Sequence, residues 1–254
     1  MRTALLLIFA LIIALSFEGE FVKYQEEKEI AILTISNQDN SNSLNLLILD
    51  ELEKCLNSID ILKIKAIIIT GEGEKSFVTD LDESSERFSK TENNLFNKIQ
   101  SFPIPVIAAI NGVSMGGGFE LALSCDIRIC SDNAIFFQSE KGEKILSFIG
   151  TKRLSKLIGT GKAKKILLTN ERINAEEALK IGLVTDVFPQ KELLNEAKKL
   201  AENIAKNEGA CKLKNFMQEG KRFKKGEHFF NFKELMEERY SCRLFKKKKF
   251  QKVY

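Results

Sequence analysis

Residues 105–126, PVIAAINGVSMGGGFELALSCD, change character twice within a short span and limit the possible folds more than any other segment. The run 106–110 is apolar and short enough for a buried strand. Asn111-Gly112 then signals a turn, and the triplet Gly116-Gly117-Gly118 follows. From Phe119 the spacing alters: Phe119, Leu121, Ala122, Leu123 and Cys125 read as a helix buried nearly all round. The segment is thus a strand, a glycine corner and a helix. Glycine lets backbone approach a ligand closely, and the N–H groups that open a helix lack partners within it. Glu120 falls in the first helical turn. An acid set among Phe119, Leu121 and Ala122 is costly unless it is paired or used. Taken alone, the pattern fits tight packing plus a dipole-favoured acid as well as it fits a ligand site.

With 254 residues the chain can form one large domain, or a domain with a helical appendage. Its 44% hydrophobic and 29% charged content belongs to the soluble globular class. Lys and Arg total 39 against 35 Asp and Glu, too even a balance to call for nucleic acid. There is a single histidine, His228, and no zinc-like cysteine pairing. A histidine-based metal site or a Ser-His triad is almost excluded, and no metal is expected. Cys55, Cys125, Cys130, Cys211 and Cys242 are scattered, which suits buried free thiols better than a disulfide framework.

The amino end has its own grammar. Arg2 precedes an apolar run over 4–15, and Ala14 and Ser16 occupy small-residue cleavage positions. That is the pattern of a secretory signal, and the run is short for a membrane span. Three readings stay open for residues 1–16: an export signal, a membrane tether, or a start assigned too far upstream. Apolar on every side, they are expected to lie outside the fold.

Further along, 29–35 alternates as a strand does, and 43–59 carries helical spacing through Leu46, Leu49, Leu52, Leu56 and Ile59. A strand at 65–70 leads into Gly71-Glu72-Gly73, read as a plain turn. A helix over 92–102 ends before Pro103 and Pro105. After the glycine segment come a strand at 126–130 and helices at 151–159 and 163–168. Asn174 is set to cap another helix that ends at Gly182, and 184–188 reads as a last strand before Pro189. From Lys191 the pattern is helical and basic. Lys246 to Lys249 read as a solvated run or as a contact for phosphate groups.

NGVSMGGGFELALSCDIRI strongly resembles the signature of the enoyl-CoA hydratase/isomerase (crotonase) family. EFVKYQEEKEIAILTI, NSLN, KAIIITGEGEKSF and LLTNERINAEEALKIGLVTDVFP match further family blocks in the same order. The resemblance covers about residues 20–205 and is nearest to the short-chain enoyl-CoA hydratases. It implies an α/β fold, a crotonase-like spiral of ββα units with two stacked sheets and a helical carboxyl segment. The expected parts are an extension at 1–16, a core at 17–195, and a capping or oligomerisation segment at 196–254. Relatives assemble as trimers or dimers of trimers through their carboxyl helices, and Phe229, Phe230, Phe232 and Leu235 would suit such an interface.

The resemblance also assigns roles. Glu120 matches the water base, and Glu140, in AIFFQSE, the proton donor. The backbone N–H groups of Leu81 and Gly117 match the oxyanion hole. Ser43, Val78, Leu81, Asp82 and Gly117 match positions that border the acyl-CoA substrate. Coenzyme A belongs to that substrate, so no separate cofactor is implied. The presence of both glutamates favours hydration over double-bond isomerisation, which several relatives perform with one. The chain departs from its relatives at several places, the tail RYSCRLFKKKKFQKVY among them. Ser43 replaces the usual Ala, and Asn37-Gln38 replace Arg-Pro. Asp80 stands where relatives have Gly; a carboxylate facing a developing enolate oxygen would oppose its stabilisation. The segment KGEKILSFIGTKRL after Glu140 is one residue short and lacks proline, though it keeps Gly150-Thr151. These departures leave two alternatives to a hydratase: an isomerase of the family, or a catalytically impaired acyl-CoA-binding homologue. A serine protease of related fold would need a nucleophilic serine at the helix start, whereas Ser114 precedes the triplet. Because acyl-CoA chemistry needs coenzyme A, the expected location is cytoplasmic. Export or tethering would follow only if residues 1–16 direct it.

Overall fold

The computed structural model describes residues 17–37, 41–79, 86–138 and 148–219. These form eleven strands in two sheets. In the seven-stranded sheet the order is β1 (Phe17–Glu18), β2 (Val22–Glu27), β3 (Ile30–Ile35), β4 (Ala66–Gly71), β6 (Val106–Ile110), β8 (Ile127–Ser131), β11 (Asp186–Phe188). The four-stranded sheet runs β10 (Ile173–Asn174), β9 (Ile135–Phe137), β7 (Val113–Met115), β5 (Ser76–Val78). From β3 to β11 the larger sheet is parallel, as are β5, β7 and β9 in the smaller one.

A repeat is visible in this order. β4, β6 and β8 each give one strand to the large sheet, and the chain then turns into β5, β7 or β9 of the small one. A helix follows each pair: α2 (Glu86–Gln100), α3 (Gly117–Ser124) and α4 (Phe148–Ile158). These are the ββα units the resemblance implies. Residues 105–126 supply the middle unit, with β6 between β4 and β8 and β7 between β5 and β9.

Parallel strands covered on both faces read as continuous apolar runs, and those of the large sheet do so here. Ala31, Leu33, Ile35, Ile67, Ile69, Ala108 and Ile110 enter the main core. It also holds Ile48, Leu49, Leu52, Cys55 and Leu56 of α1 (Leu46–Ser58) and Leu95, Phe96 and Ile99 of α2. The alternate residues Ile30, Ile32, Ile68, Ile107, Ala109 and Ile129 form a second core. Leu193, Ala197 and Ala201 of α7 (Leu193–Lys206) cover it, one residue per turn of a single face. The sequence division expected at 195/196 falls inside this helix. Two compact units divide between Cys211 and Lys212; of the second, only residues 212–219 are described, within α8 (Ala210–Glu219).

Several elements differ from their sequence-based bounds. α1 opens at Leu46, not at residue 43, because Asn45 caps it with its side chain, accepting from the Ile48 N–H at 2.9 Å. α2 begins six residues ahead of its expected start at 92, since polar residues there give no apolar stripe to read. β11 starts at Asp186; the residue before it, Thr185, turns its N–H to the Arg128 carbonyl. Between β9 and β11 also lie α5 (Thr160–Thr169) and α6 (Ala175–Lys180), α6 capped by Asn174 as its sequence predicts. Among the described residues no helix is long and apolar enough to cross a membrane, and residues 1–16 lie outside them.

Candidate active site

β5, β7 and β9 lie side by side and parallel, with Val78 paired to Ser114, Ser114 to Phe136, and Met115 to Phe137. Their carboxyl ends therefore open at one edge of the small sheet, and ligands of open α/β sheets bind outside such edges. Every residue assigned to catalysis or the oxyanion hole follows one of these ends. Gly117 comes two residues after β7; Leu81 and Glu140 come three after β5 and β9. Leu81, Asp82 and Glu140, together with Asp80, lie outside the described residues.

At the end of β7 the chain turns sharply. Gly116 takes φ 52° and ψ −118°, open to glycine and strained for a side chain, and its N–H reaches the Phe137 carbonyl at 3.3 Å. The first helical bond of α3 runs from the Glu120 N–H to the Gly116 carbonyl at 3.0 Å. The N–H groups of Gly117, Gly118 and Phe119 thus find no carbonyl within their own helix, and the positive end of the helix dipole lies with them. A methyl group at Gly118 would overlap the Val78 carbonyl oxygen, so β5 and the start of α3 touch backbone to backbone. The hydroxyl of Thr79, next after β5, donates to the Ser41 carbonyl at 3.0 Å. That bond brings the 41–43 turn to the same edge, so the structure gathers Gly117, Val78 and the chain around Ser43.

The turn at Ser41 and Asn42 is tightly held. Both residues have left-handed φ, 54° and 57°. Asn42, wholly buried, donates through Nδ2 to the carbonyls of Glu72 and Ser76 at 3.0 Å each and accepts from the Asn37 N–H at 2.9 Å. Asn111 plays a matching part at the end of β6, bonding the Gly71 N–H at 3.1 Å and the carbonyls of Gly71 and Gly73 at 2.9 and 2.7 Å. Asn42, and Asn111 in what the sequence offers as a turn signal, are side chains that fix the backbone beside the site.

Glu120 is 4% exposed, and all eight residues of α3 are buried. Its carboxyl group rests on Gly150 of α4: a Cβ there would come within 2.7 Å of Glu120 Cδ and 2.8 Å of Oε2. One turn along α4 is Arg153, 7% exposed, a residue the sequence reading passed over. Burial holds its guanidinium below the usual arginine range, while the negative charge of Glu120 and then the Cys125 thiol favour its charged form. Arg153 is anchored to α2, donating from Nε to Gln100 Oε1 at 2.9 Å and from Nη2 to Asn97 Oδ1 at 3.0 Å. Nothing in the local pattern of GTKRL distinguishes this arginine, since its contacts come from distant parts of the chain.

Ser114, by contrast, is wholly buried within β7, and its Oγ has no hydrogen-bond partner. It lacks the exposed, base-paired setting that a nucleophile needs. Among the described residues no group of three or more His, Cys, Asp or Glu could hold a metal ion. The arrangement offers a buried carboxylate, a helix start whose first N–H groups have no carbonyl partner within the helix, and a sheet edge that also holds Val78 and the turn before Ser43. These suit a reaction in which negative charge develops on a carbonyl oxygen.

Comparisons with known proteins agree with that geometry. Residues 25–250 match the Enoyl-CoA hydratase/isomerase family. The chain is 42% identical over 194 residues to a short-chain-enoyl-CoA hydratase of Clostridium acetobutylicum, covering 72% of this chain and 74% of that one. It is 40% identical over 196 residues to a crotonyl-CoA hydratase of Syntrophomonas wolfei, covering 73% and 75%. Among solved structures, an enoyl-CoA hydratase from Bacillus anthracis superposes with a TM-score of 0.77 at 30% identity, over 87% of this chain and 90% of that one.

Proposed function

The chain belongs to the enoyl-CoA hydratase/isomerase family, and from that premise we propose that it hydrates short-chain 2-enoyl-CoA thioesters to 3-hydroxyacyl-CoA and runs the reverse dehydration. The observation that carries this reading is the buried Glu120 carboxylate in the first turn of a helix whose opening N–H groups have no partner within the helix, at the shared edge of β5, β7 and β9.

In the proposed reaction the thioester oxygen accepts the N–H groups of Gly117 and Leu81. Glu120 takes a proton from water as the water oxygen bonds to the β-carbon. The C=C electron pair moves to the α-carbon and thioester, and the oxyanion hole holds the enolate charge. Glu140 then delivers a proton to the α-carbon, which completes the addition of water. Two neighbouring acids titrate as a pair, so either carboxyl can share in both transfers. Ser43, Val78 and Asp82 border the substrate, coenzyme A enters as part of it, and no further cofactor takes part. The substrate's compartment makes the enzyme cytoplasmic. Residues 17–195 are the catalytic core in this reading, and 196–254 cap it and join subunits into a trimer or a dimer of trimers.

The test is consumption of crotonyl-CoA, followed as loss of the conjugated thioester absorbance. Hydration supports the reading. Isomerisation of a 3-enoyl-CoA without hydration would replace it with the isomerase reading, and binding without either reaction with the impaired homologue. Sedimentation at micromolar concentration checks the assembly, and a monomer would refute it.

A further inference from the structure

Among the described residues, Arg153 is a buried charged side chain, on the helix that meets Glu120, which the hydration chemistry leaves unused. Its guanidinium is buried between α2 and α3, where a charge is expensive to hold unless it is paired. Asn97 and Gln100 are neutral acceptors: they fix the plane and position of the group through Nη2 and Nε but supply no counter-charge. Nη1 is buried with no hydrogen-bond partner. The carboxylate interacting with this cation is Glu120, whose carboxyl group rests on Gly150, one helical turn before Arg153 on the same helix. Among the described residues the Cys125 thiol is the other titratable group acting on it. A fork held by two amides, one helical turn from the glycine on which the acid rests, is a built support for that acid.

We propose that Arg153 is a positioning residue for Glu120: anchored on Asn97 and Gln100, it supplies the counter-charge that holds the carboxylate in place at the sheet edge. The inference rests on the assignment of Glu120 as the water base. Arg153 need not touch substrate. Its loss lets the carboxylate move or lose its charge, and displacement by about 1 Å can cost roughly a hundredfold in rate.

A double-variant cycle in the crotonyl-CoA assay tests this, with unfolding midpoints recorded for every protein. Arg153→Met is expected to lower kcat about a hundredfold with KM within about threefold, because the effect falls on the chemical step. Arg153→Lys keeps the charge and should recover about tenfold of that loss, though lysine cannot bond both amides in one plane. In a Glu120→Gln background, Arg153→Met should lower kcat no further than about threefold, since the group it positions is gone. A merely structural arginine would give a full additional loss there, and that result overturns the proposal. Equal rates for Arg153→Lys and Arg153→Met, or an unchanged kcat in both, would overturn it too. If Arg153→Met does not fold, the cycle is run with Arg153→Lys, and the same non-additivity is required. An active wild type with an additive cycle refutes only this inference, whereas a wild type inactive on every 2-enoyl-CoA refutes the hydratase reading and this one together.

Discussion

The Glu120 carboxyl group fills the space that a side chain at residue 150 would need, its Cδ only 2.7 Å from where a Cβ on Gly150 would stand. Gly150 opens the Gly150-Thr151 pair that the family resemblance implies is kept in an otherwise altered segment. Gly150→Ala should therefore displace the carboxylate and not merely tighten the packing. A fall in kcat of about tenfold or more is expected, with a smaller change in KM. Initial rates across a range of crotonyl-CoA concentrations check this, and an unchanged kcat would show that the position of Glu120 at Gly150 is irrelevant to turnover.

Ser114 makes the opposite prediction. Its Oγ is buried without a hydrogen-bond partner, and removing such a group relieves a desolvation cost. Ser114→Ala should leave activity unchanged and raise unfolding stability by up to about 1 kcal/mol, measured in urea. Loss of activity with the fold intact would revive a nucleophilic serine.

Much of this was legible in the chain itself, for local reasons. Residues 106–110 form a strand with the bounds their apolar run predicts, and Asn174 caps α6 through a contact three residues away. The three-residue strands β5, β7 and β9 were not legible, because three residues hold no period to read and their pairing partners are distant. Gly71, read as the start of a turn, closes β4 instead, and the bend follows at Glu72 and Gly73, pinned by Asn111 from about forty positions away. Glu120 stood out because an acid in an apolar run is anomalous on sight. Arg153 did not, since an arginine on an amphipathic helix is ordinary until α2 and α3 close over it.

Asp80 yields a gain-of-function prediction. It lies outside the described residues, one position before the proposed donor Leu81, at a position where the family resemblance implies glycine. If its carboxylate faces the oxyanion hole, Asp80→Gly should raise kcat by about tenfold, since it removes a charge opposed to the enolate. The same assay measures it. A variant no faster than wild type places the Asp80 charge in solvent.

The buried thiols and one phenol set the alkaline limit of stability. Burial, then the nearby Asp132 charge, pushes Cys130 up to about 12; burial and then Glu51 push Cys55 up to about 11. Tyr24 is raised as well, by burial first and then by its hydroxyl's bond to Glu26. Raised values mean that the folded state keeps protons the unfolded chain gives up. The associated stability is whole below the unfolded values, from about pH 8.5 for thiols, and is lost as pH rises through the folded ones. Urea midpoints should fall steadily from about pH 9 to pH 11, and Cys130→Ala should show a shallower fall. A flat profile over that window would contradict the burial argument.

The most direct measurement of the chemistry is the turnover of Glu120→Gln beside that of Glu140→Gln, each with crotonyl-CoA and with folding verified by its unfolding midpoint. Replacing either acid by its isosteric amide should lower kcat by about two orders of magnitude or more, the scale of a general acid or base. A Glu120→Gln protein that hydrates crotonyl-CoA at the wild-type rate would contradict the central claim that this buried carboxylate activates the water.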